Sequence, residues 1–99
     1  MNYAVLFEDD DTHAEMRAKL MGDHLAFLER NAVSIRAAGP LKDSNTGAPA
    51  GGLWLVEAEH PEAVDALIES DPFWPTGLRK SVRVLEWTQV FADGKLRHS

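Results

Sequence analysis

The chain predicts an α+β fold: one antiparallel sheet with two helices packed on one of its faces. Three observations carry this. Four short apolar stretches alternate like strands, two stretches repeat like helices, and their order is strand, helix, strand, strand, helix, strand. At 99 residues there is room for one domain and one core. That domain is expected over residues 1–92, with 93–99 as a polar C-terminal tail.

Tyr3 to Glu8 is the first strand, with Tyr3, Val5 and Phe7 on one face and Ala4 and Leu6 on the other. Both faces are apolar, which suits a strand covered on both sides. The acidic run Glu8-Asp9-Asp10-Asp11 follows. Hard oxygen ligands of this kind can hold Mg²⁺ or Ca²⁺, but the simpler reading is a solvated loop whose charge favours the helix N-terminus after it. No metal site is expected. Thr12 to Val33 reads as one long helix ending near Asn31 or Ala32. Thr12-His13-Ala14-Glu15 has the form of a capping box, which makes Thr12 the N-cap. Val33 to Ala38 is the second strand, closed by Gly39-Pro40.

Leu41 to Gly52 has no period and is rich in Gly, Pro, Asp and Asn, so it is a loop: a hairpin connection or a mobile lip over a ligand. It contains neither a P-loop nor a dinucleotide fingerprint. Leu53 to Ala58 is the third strand. His60-Pro61-Glu62 opens the second helix, with Pro at its first position and an acid in its first turn. Ala63, Val64, Ala66, Leu67 and Ile68 supply its apolar side. Pro72 drives Asp71 out of the α region, so the helix stops there. Local sequence makes Asp71 the N-cap of a short extra turn. Phe73 and Trp74, set between two prolines, wall a pocket or plug the end of the core. Ser81 to Phe91 is the last strand, and the tail that follows holds His98, expected to be disordered.

Composition narrows the function. A net charge of −6 with ten Lys plus Arg offers no electrostatic footprint for nucleic acid or an anionic membrane. No apolar run approaches the roughly 20 residues of a membrane span. The N-terminus lacks a signal-like block, and a cytoplasmic protein is the expectation. The absence of cysteine excludes disulfides, thiolate metal sites and a cysteine nucleophile.

The informative residue is His24. At about 100° per residue, Met16, Leu20, His24 and Phe27 share one stripe, so the imidazole is turned inward. Two readings stand. The simpler, from the helix alone, is a core histidine with one satisfied hydrogen bond. The other is a partly desolvated proton-transfer group that needs a partner to fix its tautomer.

The order of elements is that of a ferredoxin-like βαββαβ sandwich. Such a fold leaves one sheet face bare, and here both faces are apolar. Monomers avoid an exposed apolar patch of several hundred Å². A homodimer joined through the sheet face is therefore expected, with Trp54 and Trp87 as candidates for the interface or a pocket beside it.

The chain resembles the YciI-like proteins of the dimeric α+β barrel superfamily. The resemblance spans nearly the whole chain. It rests on Asp23-His24-Leu25, Ala37-Ala38-Gly39-Pro40, Gly51-Gly52, and Ser70-Asp71-Pro72-Phe73 with Gly77-Leu78. It implies the ferredoxin-like fold, dimerisation, and a His–Asp pair in a cleft, which carries over to His24 and Asp71. It also implies lyase- or isomerase-like chemistry on small, often aromatic-derived acids, dehydrochlorination included. The arginine that often precedes the histidine is matched only loosely, by Arg17.

On this reading Asp71 accepts a hydrogen bond from one ring nitrogen of His24, and the other moves a proton on a small-molecule substrate, without metal or organic cofactor. Gly39, Pro40, Gly52, Phe73 and Trp74 would contact the substrate, with backbone amides near Gly39 and Gly52 offered to an oxyanion. Leu20, Phe27, Phe73 and Trp74 would exclude water. The alternative is a non-catalytic small-ligand-binding or accessory dimeric module, in which His24 is a core residue and Asp71 only a cap. A monooxygenase of the same superfamily ranks last, since no oxygen-activating signature is present.

Overall fold

The computed structural model describes residues 1–97. Its main sheet has four antiparallel strands: β1 (Asn2–Asp9), β2 (Ile35–Lys42), β3 (Pro49–Glu57) and β4 (Arg79–Glu86), in the spatial order β2-β3-β1-β4. With the helices packed on one face, this is the expected α+β sandwich. Tyr3, Val5 and Phe7 of β1 and Trp54 and Val56 of β3 face the helices and are buried. Phe27, Val64 and Ile68 meet them from the helical layer. Trp54 is the centre of this core. It packs edge-on to Phe7 at 4.9 Å and tilted against Phe27 at 6.0 Å. It therefore belongs to the helix side of the sheet, not to the open face where an interface would form.

The opposite face carries Ala4, Leu6, Leu53 and Leu55. The register Ala4↔Leu55 and Leu6↔Leu53 sets them side by side. They are half-buried, and Leu85, opposite Ala4 on β4, is exposed. The alternation read from the sequence is thus a real two-sided pattern with one side unfilled in the single chain.

The first helical region is three pieces rather than one. A 3-10 turn, Asp11–His13, leads to α1 (Glu15–Lys19), and α2 (Met21–Arg30) carries His24 and Phe27 inward. Leu20, at φ −106° and ψ 9°, interrupts the helix between α1 and α2. Arg17 is tied to Asp9 at 2.7 Å, which holds α1 against the end of β1. Asp10, not Thr12, caps the first turn: its Oδ1 accepts from the Thr12 backbone N–H at 3.0 Å and from the Thr12 hydroxyl at 2.7 Å. An aspartate two residues upstream reaches these donors directly, which displaces the capping box. Asn31 closes α2, its side-chain amide donating to the Phe27 carbonyl.

β2 starts later and runs further than its apolar pattern suggests. Val33 is outside it and 86 % exposed. The strand continues through Gly39-Pro40, with Pro40 opposite Gly52. Proline is tolerated because β2 is an edge strand. Only 43–48 remain as a connection between β2 and β3, closed by the Asp43 carboxylate on the Asn45 and Thr46 amides. β3 begins at Pro49 because Gly51, at φ +89°, lets the backbone pass directly against Phe7. A Cβ there would overlap the Phe7 carbonyl oxygen.

The second predicted helix is α3 (Pro61–Ser70), capped by His60 Nδ1, which accepts from the Ala63 N–H at 3.3 Å. Ala66 lies on its exposed side. The final strand is shorter than expected. β4 ends at Glu86, and Phe91–Ala92 (β5) pairs with Lys95–Leu96 (β6) in a separate hairpin. The expected boundary at residue 92 thus falls inside a hairpin. His98 lies outside the described residues. Among the described residues, no helix is long and apolar enough to cross a membrane.

Candidate active site

The helical layer and the end of the sheet enclose a cavity of about 330 Å³. Its walls are apolar where α2 presents Leu25 and Leu28, β3 presents Trp54, and the segment after α3 presents Phe73. Four polar groups are linked at one end, His24, Arg17, Arg79 and Asp9, and Lys42 lines the cavity from the end of β2. Gly39, Pro40 and Gly52 also line it, from the β2–β3 ladder.

His24 reaches the cavity because α2 turns its stripe onto the sheet, and its side chain is 9 % exposed. Its Nδ1 lies 2.8 Å from Asp71 Oδ1. A carboxylate only accepts, so Nδ1 carries the proton and Nε2 is left for a ligand. The imidazole also stacks on Phe73, with centroids 4.4 Å apart and planes 19° apart. One hydrogen bond and one ring face fix its position.

Asp71 is 2 % exposed and sits where α3 stops. Pro72 makes its backbone extended, at φ −67° and ψ 131°. Its Oδ1 accepts from the Phe73 amide at 3.2 Å as well as from His24, and its carbonyl accepts from the Trp74 amide at 2.9 Å. The turn-forming role and the histidine-partner role fall on the same oxygen. The short turn itself is the 3-10 segment Trp74–Thr76, closed by Gly77 at φ +81°.

Trp74 points elsewhere. It is 36 % exposed and does not line the cavity. In a 3-10 turn, adjacent residues cannot face the same way, and Phe73 holds the inward position. Phe27 excludes water from behind Trp54 rather than from the cavity wall, and Leu20 is half-buried outside it.

Asp9 and Arg79 complete the polar end. Asp9 is not part of a solvated loop. Its carboxylate is buried between Arg17, at 2.7 Å, and Arg79, at 2.9 Å. The signal was present: Asp9 continues the alternation Tyr3, Val5, Phe7 onto the inner face. Arg79 gave no such signal. Counting back from Val84 and Val82 puts Lys80, not Arg79, on the core side. A register shift between Glu8 and Asp9 sets Asp9 opposite Arg79 and turns the guanidinium inward. There it lies 4.2 Å over the Phe7 ring and 5.2 Å from the Phe73 ring. Its Nη2 is 3.7 Å from Asp71 Oδ2. Two carboxylates and two guanidiniums thus balance in charge beside the imidazole. Removing one member of such a buried set generally costs about 3–5 kcal/mol.

This arrangement can hold a small planar molecule against an imidazole whose tautomer is set, with cationic groups near any oxygen that gains charge. No curated protein matches the chain in sequence. Among solved structures, the fold matches 5-chloro-2-hydroxyhydroquinone dehydrochlorinase (TftG) from Burkholderia phenoliruptrix AC1100, in complex with 2,5-dihydroxybenzoquinone. The TM-score is 0.78 at 28 % identity, covering 89 % of this chain and 94 % of that one. The YCII-related domain matches residues 1–88. With nearly the whole sandwich inside that match, cavity and His–Asp contact included, the chain belongs to the YCII-related family.

Proposed function

We propose that this chain is a small-molecule enzyme of lyase or isomerase type that acts on a small, hydroxylated, aromatic-derived ring without a metal or organic cofactor. The observation that carries the reading is the buried His24–Asp71 contact at the wall of an apolar cavity. His24 Nε2 takes a proton from an O–H or C–H bond of the substrate. The freed electron pair moves into the ring and, in an elimination, a leaving group such as chloride departs with the electrons of its bond to carbon. Asp71 holds the Nδ1 proton throughout and favours the imidazolium that forms. Arg17, at the polar end of the cavity, favours the oxyanion. The dehydrochlorinase likeness supports this class of substrate.

The active unit in this proposal is a cytoplasmic homodimer, with Ala4, Leu6, Leu53, Leu55 and Leu85 covered by a second copy. At about 25 cal/mol per Å², hiding that face favours association, offset in part by the ordering that association requires.

The test is a screen of purified protein against halogenated and hydroxylated quinols and ring acids, alongside His24→Ala. Turnover by the wild type and none by a folded H24A supports the proposal. Equal rates in both refute the mechanism. Ligand binding with no turnover for any ring substrate favours the non-catalytic module.

A further inference from the structure

We infer that Arg79 is a positioning residue for the His24–Asp71 pair, holding the Asp71 carboxylate in the one rotation that offers Oδ1 to the imidazole. The inference rests on the proton-transfer role proposed above only for its kinetic consequence. Its geometric content stands by itself.

Asp71 lies in the first residues after α3, a segment with a proline next to it and no helix or strand to stiffen it. Its Oδ1 is fixed by two donors, but its Oδ2 is buried and has no hydrogen-bond partner among the described residues. The group facing Oδ2 is Arg79, with Nη2 at 3.7 Å. That distance is ion pairing without a hydrogen bond, so the attraction sets direction while leaving Oδ1 to the imidazole. Arg79 is itself immobilised. Asp9 holds Nη1 at 2.9 Å, Phe7 and Phe73 pack against the guanidinium, and its side chain is 7 % exposed.

A chain of contacts therefore runs Arg17, Asp9, Arg79, Asp71, His24, from α1 through the end of β1 and β4 to α2. Without the guanidinium, Oδ2 would be a buried carboxylate oxygen facing no positive charge. The carboxylate would then rotate or draw in water, and the Nδ1–H bond would be lost. Lysine keeps the charge but not the planar fork that serves two carboxylates at once.

The test is ¹H–¹⁵N NMR of the free protein, following the His24 Nδ1–H resonance in wild type, Arg79→Lys, Arg79→Gln, Asp9→Asn and Asp71→Asn. The wild type is expected to show a slowly exchanging, downfield Nδ1–H. Arg79→Lys retains it with faster exchange, Arg79→Gln loses it, and Asp71→Asn, whose oxygen still accepts but without charge, shifts it upfield and speeds its exchange. Should Arg79→Gln fail to fold, Asp9→Asn decides, because it leaves Arg79 in place but unanchored. Its Nδ1–H is expected to exchange faster, roughly tenfold or more. A sharp, protected Nδ1–H in folded Arg79→Gln, or unchanged exchange in Asp9→Asn, overturns the inference. With a turned-over substrate in hand, Arg79→Gln should lower kcat roughly tenfold to a hundredfold while KM moves little, and Arg79→Lys should restore part of it. An NMR loss without any catalysis in the wild type would sink the proposed function and leave the positioning role standing.

Discussion

The imidazole of His24 lies flat on the ring of Phe73, 4.4 Å between centroids, although one residue comes from α2 and the other from the segment after α3. Phe73 is 3 % exposed, and its backbone amide is held by the carboxylate that also holds the histidine. Phe73→Ala should therefore lower stability by about 3–5 kcal/mol, the usual range for a buried phenylalanine, and let the imidazole tilt. Phe73→Leu should cost less in stability while still lowering turnover. Chemical denaturation and steady-state kinetics on the pair separate the two effects.

At Asp71 the negative charge can be separated from the hydrogen bonds. Asp71→Asn keeps an oxygen for the Phe73 amide and should fold, with turnover down by roughly a hundredfold as the carboxylate charge is lost. Asp71→Ala loses the turn as well, and should drop stability by about 1–3 kcal/mol in addition. If the asparagine variant retains wild-type turnover, the carboxylate is only a turn former.

Gly51 and Gly39 make a contrasting pair. Gly51→Ala puts a Cβ against the Phe7 carbonyl at φ +89°, and should destabilise by at least about 2 kcal/mol. At Gly39 a Cβ meets nothing within 4 Å, so Gly39→Ala should leave the melting temperature nearly unchanged. Because Gly39 lines the cavity, Gly39→Ala should instead alter the affinity for whichever ring compound the substrate screen finds to bind, measured by titration.

The open sheet face is tested by Leu55→Glu. A carboxylate among Ala4, Leu6 and Leu53 should convert a dimer to monomers in sedimentation equilibrium at micromolar concentration, because a second copy would have to bury it unpaired. A wild type that sediments as a monomer would remove the dimer from the proposal at once.

Acid should loosen the chain at two aspartates. Hydrogen bonds from the Thr12 hydroxyl and amide hold Asp10 below its ordinary pKa of 3.8, and the Thr46 and Asn45 amides do the same for Asp43. A carboxyl more acidic in the folded than in the unfolded chain stabilises above its unfolded pKa. That contribution fades as pH falls through the lower, folded value. Both groups are at the surface, so the effect is small. Asp10→Asn and Asp43→Asn should each flatten the stability curve between about pH 5 and pH 2 in urea titrations.

Much of this molecule was readable before its coordinates, because periodicity reports directly on burial. Tyr3, Val5 and Phe7 alternate, His24 and Phe27 share a helical stripe, and Pro61 and Pro72 bracket α3. The His24–Asp71 contact follows from the family resemblance and from nothing else in the sequence. Nothing in local sequence says that residues 47 apart will touch, and local sequence alone favoured a cap at Asp71. What escaped was set by irregularities that leave no pattern. The register shift at Glu8/Asp9 inverts the facing of Arg79, and the break at Leu20 divides a helix whose periodicity runs straight through it. Trp74 faces away from the cavity because a tight turn sends two adjacent aromatics to opposite sides, and nothing in their residue types says which one turns inward.

Since a single oxygen of Asp71 serves both the Phe73 amide and the imidazole, the ring and the Pro-Phe-Trp-Pro bend behave as one mechanical piece. The bend cannot relax while the ring stays aimed. Solvent exchange at one backbone amide thus becomes a gauge of a side chain on a different element, and any ligand that pushes on His24 will register in the protection of Phe73.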